Sequence, residues 1–167
     1  KLLINALLLN IALVIFGWRR YRGLTGEVAE RRRAEEQARL LAETDALTGC
    51  LNRRTAAPAI ASLIERAETH GEAVAGIMLD LDKFKQVNDS NSHAAGDALL
   101  TAAAERIART LPPGALLARI GGDEFACALS FPIGQPGEAE AVADALIAAV
   151  AQPVGFNGLE IETTISA

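Results

Sequence analysis

Arg119-Ile120-Gly121-Gly122-Asp123-Glu124-Phe125 sets two glycines and two carboxylates between apolar runs, with Leu116 and Leu117 before it and Cys127 and Leu129 after it. Apolar residues on both sides of a Gly-Gly pair predict two short strands joined by a tight hairpin. Glycine tolerates the positive φ that such a turn requires, so the expectation is a sharp reversal holding Asp123 and Glu124 at an exposed edge. An acidic turn alone is as readily a solvated loop as a site. Its meaning depends on what the rest of the chain brings to it.

Upstream, Ala73 to Leu81 (AVAGIMLDL) predicts a buried strand that ends in Asp80-Leu81-Asp82. Alternation puts Asp80 and Asp82 on one face and Leu79 and Leu81 on the other. If the hairpin pairs beside this strand, Asp80 and Asp123 come within reach of one cation. Hard oxygen ligands from separate strands suit Mg²⁺, which takes its remaining ligands from water and phosphate oxygens, as at phosphoryl and nucleotidyl transfer sites. Asp82 reads more simply as a strand end in solvent. Lys83-Phe84-Lys85 follows as a turn whose backbone N–H groups and ammonium charge suit a polyphosphate, although two loop lysines are equally ordinary surface. Asn88 and Asp97 flank a loop containing His93. An Asp carboxylate there can accept two hydrogen bonds from the N1 and N2 donors of guanine, a pair that adenine lacks. The competing readings are Asp97 as a helix N-cap and Asn88 as a turn former.

The other elements follow from periodicity and punctuation. Arg53 to His70 predicts a helix with Ile60, Leu63, Ile64 and Ala67 on one face, Pro58 near its first turn and Gly71 as its stop. Lys83 to Asn88 reads as a turn or one-turn helix, Asp89 to Ala95 as a polar loop, and Gly96 to Leu111 as an alanine-rich helix stopped by Pro112-Pro113-Gly114. Gly137 to Val150 predicts a further helix, Asn157-Gly158 breaks a last hairpin-like segment, and Ile161 to Ser166 reads as a strand. There is no internal repeat.

Toward the N-terminus the composition changes. Leu2 to Trp18 is almost wholly apolar, and a helix of that length at about 1.5 Å per residue nearly spans a hydrocarbon core of about 30 Å. Arg19-Arg20-Tyr21-Arg22 then reads as a stop-transfer flank, with Trp18 and Tyr21 as interfacial anchors. The expectation is a span over 1–18 in the cytoplasmic membrane, with the remainder in the cytoplasm. Residues 19–44 are charged and helix-favouring, with Ala34, Ala38 and Leu41 on one seam, and predict a helical stalk capable of pairing two copies. The chain of 167 residues carries a formal net charge of −5. No basic stripe runs through its body, which argues against a nucleic-acid surface. Cys50 and Cys127 lie far apart in apolar or helical surroundings and read as buried free thiols.

As a set, Asp45-Ala46-Leu47-Thr48-Gly49 with Asn52-Arg53-Arg54, then Asp80 through Asp89 (DLDKFKQVND), then His93-Ala94-Ala95-Gly96-Asp97, then Arg119 with Gly121 through Phe125, closely resemble the motifs of the GGDEF family of diguanylate cyclases in order and spacing. The resemblance covers 45–167. It implies an α/β (α+β) fold with a ferredoxin-like, nucleotide-cyclase-type core and a mainly antiparallel sheet, preceded by the transmembrane helix and stalk. It further implies that two GTP molecules are joined into cyclic di-GMP with release of pyrophosphate, at an interface between two facing copies. On this resemblance Asp80, Asp123, Glu124 and the backbone carbonyl of Leu81 would hold Mg²⁺, with Mn²⁺ as the alternative. Asp123 or Glu124 would act on the attacking 3′-hydroxyl. Lys83, Phe84, Lys85, Asn88, His93, Asp97, Gly121 and Gly122 would bind the nucleotide.

Three departures stand out. Ser92 replaces the glycine usual before the histidine. Pro112 and Ala115 occupy the ends of the family's Arg-x-x-Asp product-inhibition motif, so that site is expected to be absent. The chain also stops before the family's last helix, so this piece is expected to be incomplete at its C-terminus. Two further readings remain open: a catalytically silent GTP-binding regulatory module, fused to a downstream phosphodiesterase domain, and a purely structural domain on a dimerising stalk.

Overall fold

Asn52 ends one element and begins the next. Its extended backbone closes the two-residue strand β1 (Leu51–Asn52), while its side chain accepts from the amides of Arg54 at 3.0 Å and Thr55 at 3.2 Å, capping helix α1 (Arg53–His70). The computed structural model describes residues 43–167 and, before them, Leu13 alone. The expected membrane span and nearly all of the stalk therefore lie outside the described residues. Among the described residues no helix is long and apolar enough to cross a membrane. Residues Glu43–Ala167 form one compact unit.

Helix α1 ends where expected. Gly71 takes the left-handed conformation, φ 67°, and its amide reaches back to the carbonyls of Ala67 and Glu68. Pro58 stands inside the helix, just past its first turn. After α1 come β2 (Glu72–Leu81), a short helix α2 (Phe84–Ser90), α3 (His93–Thr110), β3 (Leu116–Arg119), β4 (Glu124–Pro132), α4 (Gly137–Val150), the strands β5 (Val154–Phe156) and β6 (Leu159–Ile161), and β7 (Ile165–Ser166). The helix around Asn88 is longer than the sequence reading gave, and α3 begins three residues earlier than Gly96. The reason is Ser92, whose hydroxyl accepts from the amide of Ala95 at 3.2 Å and caps α3. Asp97 therefore lies within α3 rather than capping it.

The main sheet has five strands in the order β1-β3-β4-β2-β7. Only β1 and β3 run parallel; the other pairs are antiparallel, as the mainly antiparallel expectation required. In β2 and β4 the register sets Leu79 opposite Phe125 and Ile77 opposite Cys127. That face meets the small and branched residues of α3 (Ala95, Leu99, Leu100, Ala103, Ala104, Ile107) and Leu146 and Val150 of α4, all buried. Leu79 and Phe125 are fully buried, each worth about 1.5–3 kcal/mol of transfer free energy. Helix α1 packs on β2, β3 and β4 and contributes buried Ala56, Leu63 and Ala67. Cys50 and Cys127 are buried free thiols, as expected, and burial pushes the Cys127 thiol up to about 12.

The β5–β6 hairpin turns through Asn157 and Gly158, both at positive φ (49° and 80°), which matches the primed turn expected of an Asn-Gly pair. Beyond α4, the guanidinium of Arg106 donates to the carbonyls of Val150, Gln152 and Pro153 and satisfies acceptors that a helix end leaves open.

Candidate active site

The glycine hairpin is built differently from the sequence expectation. Neither Gly121 nor Gly122 is among the residues with positive φ. The connection from β3 to β4 is four residues, Ile120 to Asp123, and closes through Ile120 N–H to the Glu124 carbonyl at 2.9 Å. At Gly121 the chain passes close to a side chain: a Cβ there would displace the carboxylate end of Glu124, which folds back over the glycine. Gly122 faces open space. Its carbonyl accepts from Nε of Arg119 at 3.2 Å and from Nη2 at 2.6 Å.

The hairpin does pair beside β2. Asp80 lies directly opposite Glu124, and the amide of Leu81 donates to the carbonyl of Asp123 at 3.3 Å. Three expected site residues, Asp80, Asp123 and Glu124, thus meet at one end of the sheet, with Asp80 and Glu124 exposed. Like charges directly opposed across strands are unfavourable, by about 0.2–1 kcal/mol, and a cation relieves them. Among the described residues no three His, Cys, Asp or Glu side chains gather closely enough to cage an ion. The donors these residues offer are hard carboxylate oxygens, the type that Mg²⁺ takes.

A second group forms at the facing ends of α2 and α3. A Cβ on Gly96 would lie 2.1 Å from Oδ1 of Asn88 and 3.2 Å from Cζ of Phe84, so the Asn88 amide and the Phe84 ring rest against the α3 backbone beside Asp97. His93 opens α3 one turn before Asp97, and the i, i+4 spacing places both on one exposed helix face. Lys83 adopts the left-handed conformation, φ 58°, before α2. It lines a groove of about 500 Å³ with Gln86, Asn91, Glu160 and Thr164. Lys85 is exposed on α2.

Two arrangements were not legible in the sequence. Asp82 is not a plain solvated end. Its carboxylate accepts from the hydroxyls of Thr164 at 2.5 Å and Ser166 at 2.8 Å, its amide donates to the Thr164 carbonyl at 2.9 Å, and its pKa is lowered first by Thr164 and then by Ser166. Asp45 is the other case. Its Oδ1 accepts from the amide and hydroxyl of Thr48 at 2.9 and 2.7 Å and from Nη1 of Arg119 at 3.0 Å. Burial pushes the Asp45 pKa up, but Thr48 and Arg119 outweigh it and hold it below its ordinary value. The Asp-x-x-Thr spacing signals the local turn. Nothing local signals its partner, 74 residues away.

A family model described as "Diguanylate cyclase, GGDEF domain" matches residues 42–167. The diguanylate cyclase TpbB of Pseudomonas aeruginosa is 36% identical over 75% of this chain and 29% of its own. The cyclic di-GMP phosphodiesterase PdeR of Escherichia coli is 37% identical over 84% of this chain and 21% of its own. A crystal structure of a sensory box/GGDEF family protein from Caulobacter crescentus superposes with a TM-score of 0.71 at 42% identity, covering 74% of this chain and 80% of that one. The chain spans less than a third of the length of the curated relatives it matches.

Proposed function

The chain belongs to the GGDEF family of diguanylate cyclase domains, and from that premise we propose that it condenses two GTP molecules into cyclic di-GMP, each copy of the domain supplying half of the site. The observation that carries this reading is the opposition of Asp80 and Glu124, with Asp123 bonded to the next residue of β2. That is an acidic, exposed strand end with the Asn88–Gly96–Asp97 group on the helices that follow β2.

In the proposed reaction the 3′-hydroxyl oxygen of one GTP forms a bond to the α-phosphorus of the other. The α–β phosphoanhydride bond breaks, pyrophosphate leaves, and the hydroxyl proton passes to Asp123 or Glu124. The same step in the opposite sense closes the ring. Asp80, Asp123, Glu124 and the Leu81 carbonyl would hold Mg²⁺ (or Mn²⁺), which supplies charge neutralisation at the phosphates. Asn88 and Asp97 hold guanine, with His93 and Phe84 beside them. Lys83, Lys85 and the Gly121-Gly122 backbone lie along the phosphates. Facing two domains in register converts a bimolecular encounter into a positioned one. The 19–44 stalk sets that pairing, and 1–18 anchors it in the cytoplasmic membrane with the catalytic part in the cytoplasm.

The test is cyclic di-GMP formation from GTP and Mg²⁺ by the full-length dimeric protein. Absence of product where a family control makes it overturns the reading. A silent GTP-binding module is the second reading, favoured by the likeness to a phosphodiesterase of which this chain covers 21%. GTP binding without turnover, together with phosphodiesterase activity in the full-length protein, selects it.

A further inference from the structure

The guanidinium of Arg119 does two things at once. Through Nε and Nη2 it grips the Gly122 carbonyl, and through Nη1 it grips Oδ1 of Asp45. The Arg119 and Asp45 side chains are 14% and 27% exposed, so the pair is more shielded than an ordinary surface ion pair. Among the described residues little else holds the tip. Gly122 faces open space, and the remaining backbone bonds are Ile120 and Gly121 to the Glu124 carbonyl and Leu81 to that of Asp123.

The other end of the clamp lies in the turn by which the chain enters the domain. Asp45 N–H donates to Cys50 at 2.8 Å, Gly49 N–H to Asp45 at 2.9 Å, and Thr44 bridges Leu51. The Thr55 hydroxyl donates to the Glu43 carbonyl at 2.5 Å, and Asn52, next in line after Leu51, stands beside Arg119 in the parallel register. We infer that Arg119 is a positioning residue with Asp45 as its anchor: the planar, rigid fork of the guanidinium passes the setting of the 43–50 turn to Gly122 and Asp123. The effect on turnover rests on the cyclase reading; the mechanical link does not.

Two variants separate the link from simple local packing. Arg119→Lys keeps the charge but cannot hold both acceptors. Asp45→Asn keeps an oxygen for Thr48 and weakens the hold on Arg119 without touching the tip. In the full chain, hydrogen exchange of the 118–125 segment is expected to speed up by about tenfold or more in both, with the α3 segment 97–107 unchanged. Cyclic di-GMP kinetics should show kcat falling by about tenfold with KM for GTP within about twofold. Tip exchange in Asp45→Asn equal to wild type would overturn the inference, even with Arg119→Lys loosened. If Arg119→Lys also speeds the α3 segment, Asp45→Asn alone decides. Faster tip exchange with no turnover in any protein, wild type included, keeps the link and removes the cyclase reading.

Discussion

Gly96 and Gly121 look alike in a sequence and differ in what a methyl group would meet. At Gly96 the added Cβ would strike Oδ1 and Cγ of Asn88 and crowd the Phe84 ring, which is itself packed against the core. Gly96→Ala is expected to cost about 1–3 kcal/mol and to raise KM for GTP by about tenfold, read by thermal melting and initial rates. At Gly121 the first atom met is the free end of the Glu124 side chain, which can swing away. Gly121→Ala should leave the melting temperature within about 2 °C of wild type while lowering kcat. Asp80 opposite Glu124 gives a prediction of opposite sign. Asp80→Asn removes a like-charge opposition, so without metal the protein should melt about 1–3 °C higher, and the stabilisation that Mg²⁺ with GTP gives the wild type should shrink. A lower melting temperature in metal-free buffer would show that Asp80 is held by contacts other than its charge.

At the scale of elements, two carboxylates hold strands and turns in place and make part of the stability sensitive to acid. Asp45 fastens the turn before β1, and Asp82 fastens β7 through Thr164 and Ser166. Both pKa values lie below their ordinary value in the folded chain. Their stabilisation is therefore complete above the unfolded carboxylate pKa of about 3.9 and is lost as pH falls through the folded values. Asp45→Asn and Asp82→Asn should each melt lower than wild type at neutral pH, with the gap closing below about pH 4. A gap that stays constant with pH would mean that neither charge contributes. These elements also mark how far the sequence could be read. Helix α1 was legible because its apolar face and the Gly71 stop are local signals, and β2 because alternation separates Leu79 and Leu81 from Asp80. The α2–α3 junction was misjudged because Ser92 offers its capping oxygen only once α3 exists. The tasks of Asp45 and Asp82 were hidden because Arg119, Thr164 and Ser166 lie 74, 82 and 84 residues away.

For the molecule as a whole, the residues expected to work together sit in two groups, the carboxylates at the β2–β4 end and the proposed guanine-binding residues on α2 and α3. The sequence motifs named both groups. They did not reveal that Gly121 lies under the Glu124 side chain and takes no left-handed conformation, since a turn's φ values depend on how the strands pair. Because each proposed product needs two copies, specific activity should rise with protein concentration until pairing saturates, and a variant with the 19–44 seam made polar should need higher concentrations to reach the same rate. Activity per chain that is independent of dilution would mean that one copy suffices. The clamp between Asp45 and Gly122 has a consequence for how this domain can change over time. β1 and β3 are neighbours in the sheet, so the route from the incoming chain to the strand that opens the hairpin is one strand spacing, about 5 Å. The large buried side chains lie mainly on the face toward α3 and α4. Robustness and responsiveness are thus drawn from different residues. The domain can be hardened by repacking under α4 without deafening it, and retuned at the 43–50 turn without weakening its core.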